Sequence, residues 1–476
     1  MNLNQTLQEK YPHLEVSVLK LSEVKKNIDF RIDDSFWTMK LIYNNKLNYK
    51  KIGECLLKSQ YGISINMNEE GDGVPIYRMN DIDNMLCNFE VKKYALIDKN
   101  ELQTFRLNYG DVLFNRTNSY EFVGRTGIFY NNRENFVFAS YLVRLVCNKE
   151  ILLPEYLTVF LNTHIGKKEI RRRARPSINQ ANVNPEELKE IKIPIFPMEF
   201  QLEIQNLVKD SHKALEESKE LYKKAEETLY LELGLDPKNP LQSLLDSKID
   251  HSIKSLNISI RTLKESFLKT GRLDSEYYQS KYEDIEKFIK SYPNGYDSFS
   301  SIINNKDTNF TPKNNENYSY IELANIGNNG NISEPISDLG KNLPTRARRI
   351  VSKGDVIISS IEGSLSSCAL ITQEFDKHLV STGFFVLNSK LLNGETLLVM
   401  FKSQIFQEYL KKFPSGTILC AINKEELSKI LIPKIDSTTQ EKIAKYIQES
   451  FNLRKKSKQL LDNAKIKVEE QIQGKI

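Results

Sequence analysis

The residues best suited to chemistry are a run of arginines beside a run of amides. Arg171, Arg172, Arg173 and Arg175 are followed within seven positions by Asn179, Gln180 and Asn182. Guanidinium groups neutralise phosphates and fork onto guanine, and side-chain amides pair with adenine edges. A solvated helix end running into a polar loop would use similar residues. The basic run directly abutting amides in a turn-rich stretch favours contact with DNA. Two further groups have the same character: Arg78 with Asn80, and Asn115, Arg116, Asn118 and Ser119. Ser64 lies in a third candidate loop, after Tyr61. Each follows a strand-like run, where binding residues tend to sit on a rigid scaffold.

Catalytic patterns are missing. There is no glycine-rich nucleotide loop, and Gly166-Lys167 lacks the flanking residues of a phosphate loop. Asn184-Pro185 leads into two glutamates rather than proline and an aromatic, unlike an amino-methyltransferase pocket. Glu187 and Lys189 form half of a nuclease-like Glu-x-Lys, but the second repeat has Ser428 where the first has Lys189. The five histidines and five cysteines are scattered, with no paired metal-ligand spacing, so no metal is expected. The chain is expected to catalyse nothing alone. The odd, dispersed cysteines fit a reducing cytoplasm. Charged residues at positions 9, 10, 15 and 20 exclude an apolar leader core, and no apolar run is long enough to span a membrane. A net charge of +5 on 476 residues is no global basic signal, so a nucleic-acid role rests on local clusters.

The elements that position these residues come in duplicate. Residues 184–194 return at 423–433, an offset of 239, and the same offset carries Gln201 onto Gln440. Arg31 and Asp33 recur as Arg272 and Asp274, each followed by an aromatic pair, and Gly110-Asp111 recurs as Gly354-Asp355. So long a period means two copies of one globular unit rather than a solenoid. Strands are expected at 15–18, 111–114, 136–138, 141–146, 257–260, 355–359 and 383–387, and helices at 154–161 and 395–410. After each body, a long helix is expected to alternate steps of three and four. In the first, over 197–233, Ile204, Val208, Leu215, Tyr222 and Leu229 mark the seam; in the second, over 438–472, Ile443, Ile447, Leu460, Ala464 and Val468 do. Gly234, Pro237 and Pro240 end the first helix. The resulting division is 1–197, 198–249, 250–436 and 437–476. In the second copy Lys411, Lys412 and Thr417 stand at the matching run, and Ser359, Ser360 and Glu362 at the matching loop. Instead of the arginine run it has Arg346, Arg348 and Arg349 just before Gly354. The frame is kept while the basic and polar residues change, as expected if the two copies read different sequences.

The chain resembles the specificity subunits of type I restriction-modification enzymes. The resemblance is carried by Tyr61 to Ser64, residues 74–80, 110–116, 138–141 and 182–201, with Arg272 to Tyr278, 354–356 and 423–433 in the second copy. It implies an α/β (α+β) fold with two target recognition domains related by a pseudo-two-fold. Each would be followed by a long helix, and the two helices would pair as an antiparallel coiled coil. It further implies a double-stranded, bipartite DNA site, two methyltransferase subunits docked on the helices, and restriction subunits. S-adenosylmethionine, ATP and magnesium would belong to those partners. A duplicated scaffold or decoy without sequence-specific reading is the alternative.

Overall fold

The computed structural model describes residues 3–14, 16, 18–39, 41–131, 134–246, 260–416 and 419–474. The chain divides into two compact units, 1–215 with 455–476, and 216–454.

In the first unit, Gly110 takes a φ of +89°, a left-handed conformation that glycine adopts without penalty, and turns the chain into the strand Val112–Asn115. All four residues of that strand are buried, matching its apolar run. It pairs antiparallel with Leu142–Cys147 on one side and Thr126–Ile128 on the other, within a six-stranded mixed sheet. The helix Pro154–Asn162 packs into the same core, with proline in its first turn where no backbone donor is needed. The body closes where Tyr49–Lys51 pairs antiparallel with Lys192–Pro194.

The second unit repeats this plan. Val356–Ser359 pairs antiparallel with Phe384–Ser389, and Tyr296–Ser298 with Leu431–Pro433. The repetition reaches single hydrogen bonds. The Gln201 carboxamide accepts from the Leu153 N–H (2.9 Å) and donates to the carbonyls of Ile151 and Phe196 (3.1 and 3.0 Å). Gln440 accepts from the Asn393 N–H (2.9 Å) and donates to the carbonyls of Leu391 and Ile435 (3.0 and 2.9 Å). A buried amide satisfied on both ends ties each body to the helix after it.

The long helices are Met198–Glu232 and Ser437–Gln473. In the first unit, Ile204 and Val208 share a core with Leu461, Ala464, Val468 and Ile472, and Leu215 packs at its edge. The Ser211 hydroxyl lies 2.8 Å from that of Ser457, and the Lys467 ammonium 2.5 Å from the Glu203 carboxylate, so these segments run antiparallel. In the second unit, Tyr222, Ala225 and Leu229 share a core with Ile443 and Ile447. Ser218 meets Ser450 at 3.0 Å and Thr439 donates to Glu232 at 2.8 Å, again antiparallel. The Ser211 hydroxyl is also 3.0 Å from the Ser457 carbonyl, and the Ser450 hydroxyl 2.7 Å from the Ser218 carbonyl. Each bond is the image of the other under the 239-residue offset. Serine-sized side chains let the backbones approach this closely.

Several expectations are corrected. The buried seam residue of the second helix is Leu461, not Leu460, which is half-buried; the steps 457, 461, 464, 468 keep the alternation that 460 breaks. The helix expected over 395–410 is two, Gly394–Lys402 and Gln404–Leu410, broken at Ser403, whose hydroxyl caps the second. The first body has the same break at Thr163. Val16, Val18 and Ile260 lie in no strand, and residues 15, 17 and 257–259 fall outside the described residues.

Candidate nucleic-acid interface

The four arginines at 171–175 have different fates. Arg173 is buried and ion-paired with Glu169, which also accepts from the Tyr43 hydroxyl. Arg172 lies over the Phe36 ring, 4.2 Å from its centroid, and donates to the Phe36 carbonyl at 2.6 Å. Burial and then the neighbouring Arg173 charge lower its pKa. Arg175 is partly exposed and pairs with Asp29 and, at 3.0 Å, with Glu187. Arg171 is exposed at the end of the helix His164–Arg173.

A second arginine from far upstream organises this region. Arg31 grips Asp33 with two hydrogen bonds (2.7 and 2.8 Å), donates to the Arg173 carbonyl and to Glu187 (both 2.9 Å), and lies 4.8 Å from the Phe36 ring centre. The hydrogen bond from Arg31 holds the Asp33 carboxyl at about 2. Glu187, the residue of the nuclease-like tripeptide, is thus a buried acceptor for Arg31 and Arg175. Lys189 pairs instead with Glu186 at 2.6 Å. The clamp holds the start of a hairpin, Arg175–Ser177 paired with Gln180–Asn182.

That hairpin continues into a three-stranded sheet with Thr117–Asn118, with Ala181 opposite Asn118 and Asn182 opposite Thr117. Two groups far apart in sequence therefore become neighbours. Asn179 and Gln180 are exposed, while Asn182 accepts from the Thr117 hydroxyl. Arg116 lies 5.0 Å from the ring centre of Tyr61, bringing in the loop that carries exposed Ser64. Ile63 bridges to Ala139, whose N–H donates to the Tyr77 carbonyl (2.9 Å), so half-buried Arg78 and exposed Asn80 follow on the far side of that segment. Ser119 is half-buried beside Asn118, whose side chain accepts from the Ser119 N–H at 2.8 Å.

The second unit carries the same clamp. Arg272 grips Asp274 (2.8 and 2.6 Å), donates to the Phe413 and Pro414 carbonyls (3.1 and 2.7 Å), and lies 4.5 Å from the Tyr277 ring centre. Lys412 takes the place of Arg172 on that ring (4.9 Å) and pairs with Glu286 at 2.5 Å. Lys411 pairs with Glu408 at 2.7 Å. Arg346 and Arg348 are exposed; Arg349 is half-buried, its pKa lowered by burial, and it donates to the Phe384 carbonyl. Ser360 donates to the Gly383 carbonyl (2.9 Å), Glu362 is exposed, and Thr417 lies outside the described residues.

Residues 50–227 match the type I restriction modification DNA specificity domain. The whole chain resembles type I specificity subunits. It is 22% identical over 425 residues, 88% of this chain and 91% of the relative, to a Methanocaldococcus jannaschii protein described as "Putative type I restriction enzyme MjaX specificity subunit". It is 27% identical over 161 residues, 33% of this chain and 34% of the relative, to the EcoKI specificity subunit of Escherichia coli. A solved type I S subunit from M. genitalium covers 90% of this chain and 96% of its own at 14% identity, with a TM-score of 0.42.

Three assignments made from residue type are corrected, two in the first unit and one in the second. Asn115 is fully buried, and its side-chain oxygen accepts from the Thr117 N–H two residues on (3.3 Å). Its counterpart Ser359 is buried and accepts from the Ile361 N–H (3.2 Å). Both shape the exit from a strand, a standard use of short polar side chains, and neither reaches solvent. Arg173 serves Glu169 rather than a phosphate. Sequence reasoning missed Ile178, Tyr120 and Tyr141, all exposed around the specificity domain's polar loops. Nothing in their types marks them, because exposed apolar residues are common singly. The Arg31 clamp was visible as a repeated Arg-x-Asp, but its partners lie more than 140 residues away.

Among the described residues, no group of three or more His, Cys, Asp or Glu could hold a metal ion, and no helix is long and apolar enough to cross a membrane.

Proposed function

We propose that this chain is the DNA sequence-specificity subunit of a type I restriction-modification complex, reading a bipartite double-stranded site with one half-site per unit. The observation that carries the reading is the joining of the hairpin 175–182 to Thr117–Asn118, which gathers exposed Asn179 and Gln180, partly exposed Arg175 and half-buried Asn118 on one clamped sheet within a DNA specificity domain. Phosphate contacts from groups such as Arg171 orient the domain, and amide and guanidinium groups discriminate base edges, each good bidentate pair contributing about 1–3 kcal/mol. The chain's own residues bind and orient; they move no proton and attack no bond. Two methyltransferase subunits docking on the long helices supply S-adenosylmethionine and reach an adenine flipped from the stack. Restriction subunits supply ATP- and magnesium-dependent steps.

The test is co-expression with a type I methyltransferase subunit, followed by methylation-sensitive sequencing of host DNA. The expected result is one split motif with methylated adenine in both halves. A stable complex that methylates nothing, while the chain binds DNA without preference, would replace this reading with a scaffold or decoy. Methylation by the isolated chain would make it an enzyme.

A further inference from the structure

We infer that Ile178, at the tip of the 175–182 hairpin, reads a thymine by packing against its C5-methyl group. The inference rests on the DNA-specificity reading above and deepens it.

Ser177 pairs with Gln180, which leaves Ile178 and Asn179 as a two-residue turn. Asn179 adopts a φ of +62°, the left-handed conformation that asparagine tolerates better than most residues. Turn chemistry therefore accounts for Asn179. It does not account for its neighbour, since tight turns call for Gly, Asn, Asp, Ser or Pro and a β-branched apolar side chain brings nothing to them. Nor does the core account for it, because Ile178 is 91% exposed.

The second unit carries a related feature. There Ala421 bridges to both Ser415 and Ile361, as Ala181 pairs with Pro176 and Asn118. Leu419, between Ser415 and Ala421 in the sequence, is 58% exposed. A lone exposed aliphatic residue is unremarked on any surface. Two, each following the backbone carbonyls held by Arg31 or Arg272, coincide with the segments best placed to touch a ligand.

The chemistry around Ile178 says which ligand group it meets. Arg175 and Gln180 flank it on the two strands, Asn179 shares the turn, and Arg171 lies on the preceding helix. Cations and amides around one apolar tip match a duplex whose base edges carry hydrogen-bonding groups. A two-stranded ribbon fits the major groove, and the apolar group displayed there is the thymine methyl. An aliphatic wedge between base steps belongs to the minor groove and to bent DNA, which is a different contact.

The test uses the full-length chain with randomised double-stranded DNA, prepared once with thymine and once with deoxyuridine, which lacks the methyl group. The unmodified chain should enrich a motif containing a thymine preferred about fourfold or more, roughly the worth of one buried methyl group. Ile178→Ala should lose that preference and keep the rest of the motif, and Ile178→Val should retain most of it. Deoxyuridine DNA should cause the same loss with the unmodified chain and no further loss with Ile178→Ala. Melting temperatures should be equal for all three proteins. An unchanged motif in Ile178→Ala would overturn the proposal. So would a loss in Ile178→Ala that is equal on thymine and deoxyuridine DNA, the signature of a wedge. If the unmodified chain enriches nothing, the DNA-specificity reading falls first, and this contact with it.

Discussion

Four arginines within five positions perform separate tasks, and each is told apart by its partner rather than its type. Arg171→Ala should weaken DNA binding on all sequences and reduce the slope of log affinity against log salt by about 0.9, one phosphate's share. Titrations at several salt concentrations check this, and an unchanged slope would remove the phosphate role. Arg173→Ala should instead cost about 3–5 kcal/mol of folding stability, because it strands buried Glu169 without its counter-charge. Urea denaturation distinguishes the two. Asp33 adds a pH signature. Its carboxyl is held at about 2 by Arg31, below the ordinary 3.8, so between these values the unfolded chain binds more protons than the folded one. Its contribution is fully present above about pH 4 and is lost as pH falls towards 2. Asp33→Asn should therefore flatten the dependence of melting temperature on pH in that window, and a slope identical to the unmodified chain's would show that the clamp does not couple to folding.

The elements owe their placement to a few satisfied polar groups and to small residues at helix contacts. Ser211 and Ser457 touch through their hydroxyls, and Ser218 and Ser450 do the same in the other unit. Ser211→Leu should destabilise the first unit by about 1–3 kcal/mol through overpacking, even though leucine is the better helix former. The seam itself can be checked by comparison: Leu461→Ala should cost about 2–5 kcal/mol, as expected for a buried leucine, and Leu460→Ala clearly less. Equal costs would mean that the alternation of steps does not define the packed face. The hairpin 175–182 owes its orientation to Arg31 and Glu187, which hold the Arg173 carbonyl and Arg175. Arg272 holds the Phe413 and Pro414 carbonyls in the same way, so each repeat has a clamp of its own at this point.

Across the molecule, the two units share a frame and differ in what they present. If each reads one half-site, Gln180→Ala should relax bases in only one half of the methylated motif and Arg346→Ala in only the other. Changes in both halves from either substitution would contradict independent reading. The duplication itself was legible in the sequence, because frame positions such as Gln201 and Gln440 each satisfy three hydrogen bonds that a different residue would leave open. The two long helices were legible for a related reason: an apolar seam on a polar rod must repeat at helical spacing. Those are repeated or periodic constraints, so residue type and spacing were enough to determine them. Which candidate residues stand free was not determined that way. Asn115 and Arg173 are of the same types as the exposed candidates; Thr117 and Glu169 consume them within one strand exit and one helical turn, whereas only the fold brings Asp29 to Arg175. Ile178 is the reverse case, an apolar type whose place in a core is refused by a two-residue turn. Exposure and ion pairing depend on partners supplied by distant segments, as Arg31 depends on Glu187, and tertiary structure alone decides those meetings.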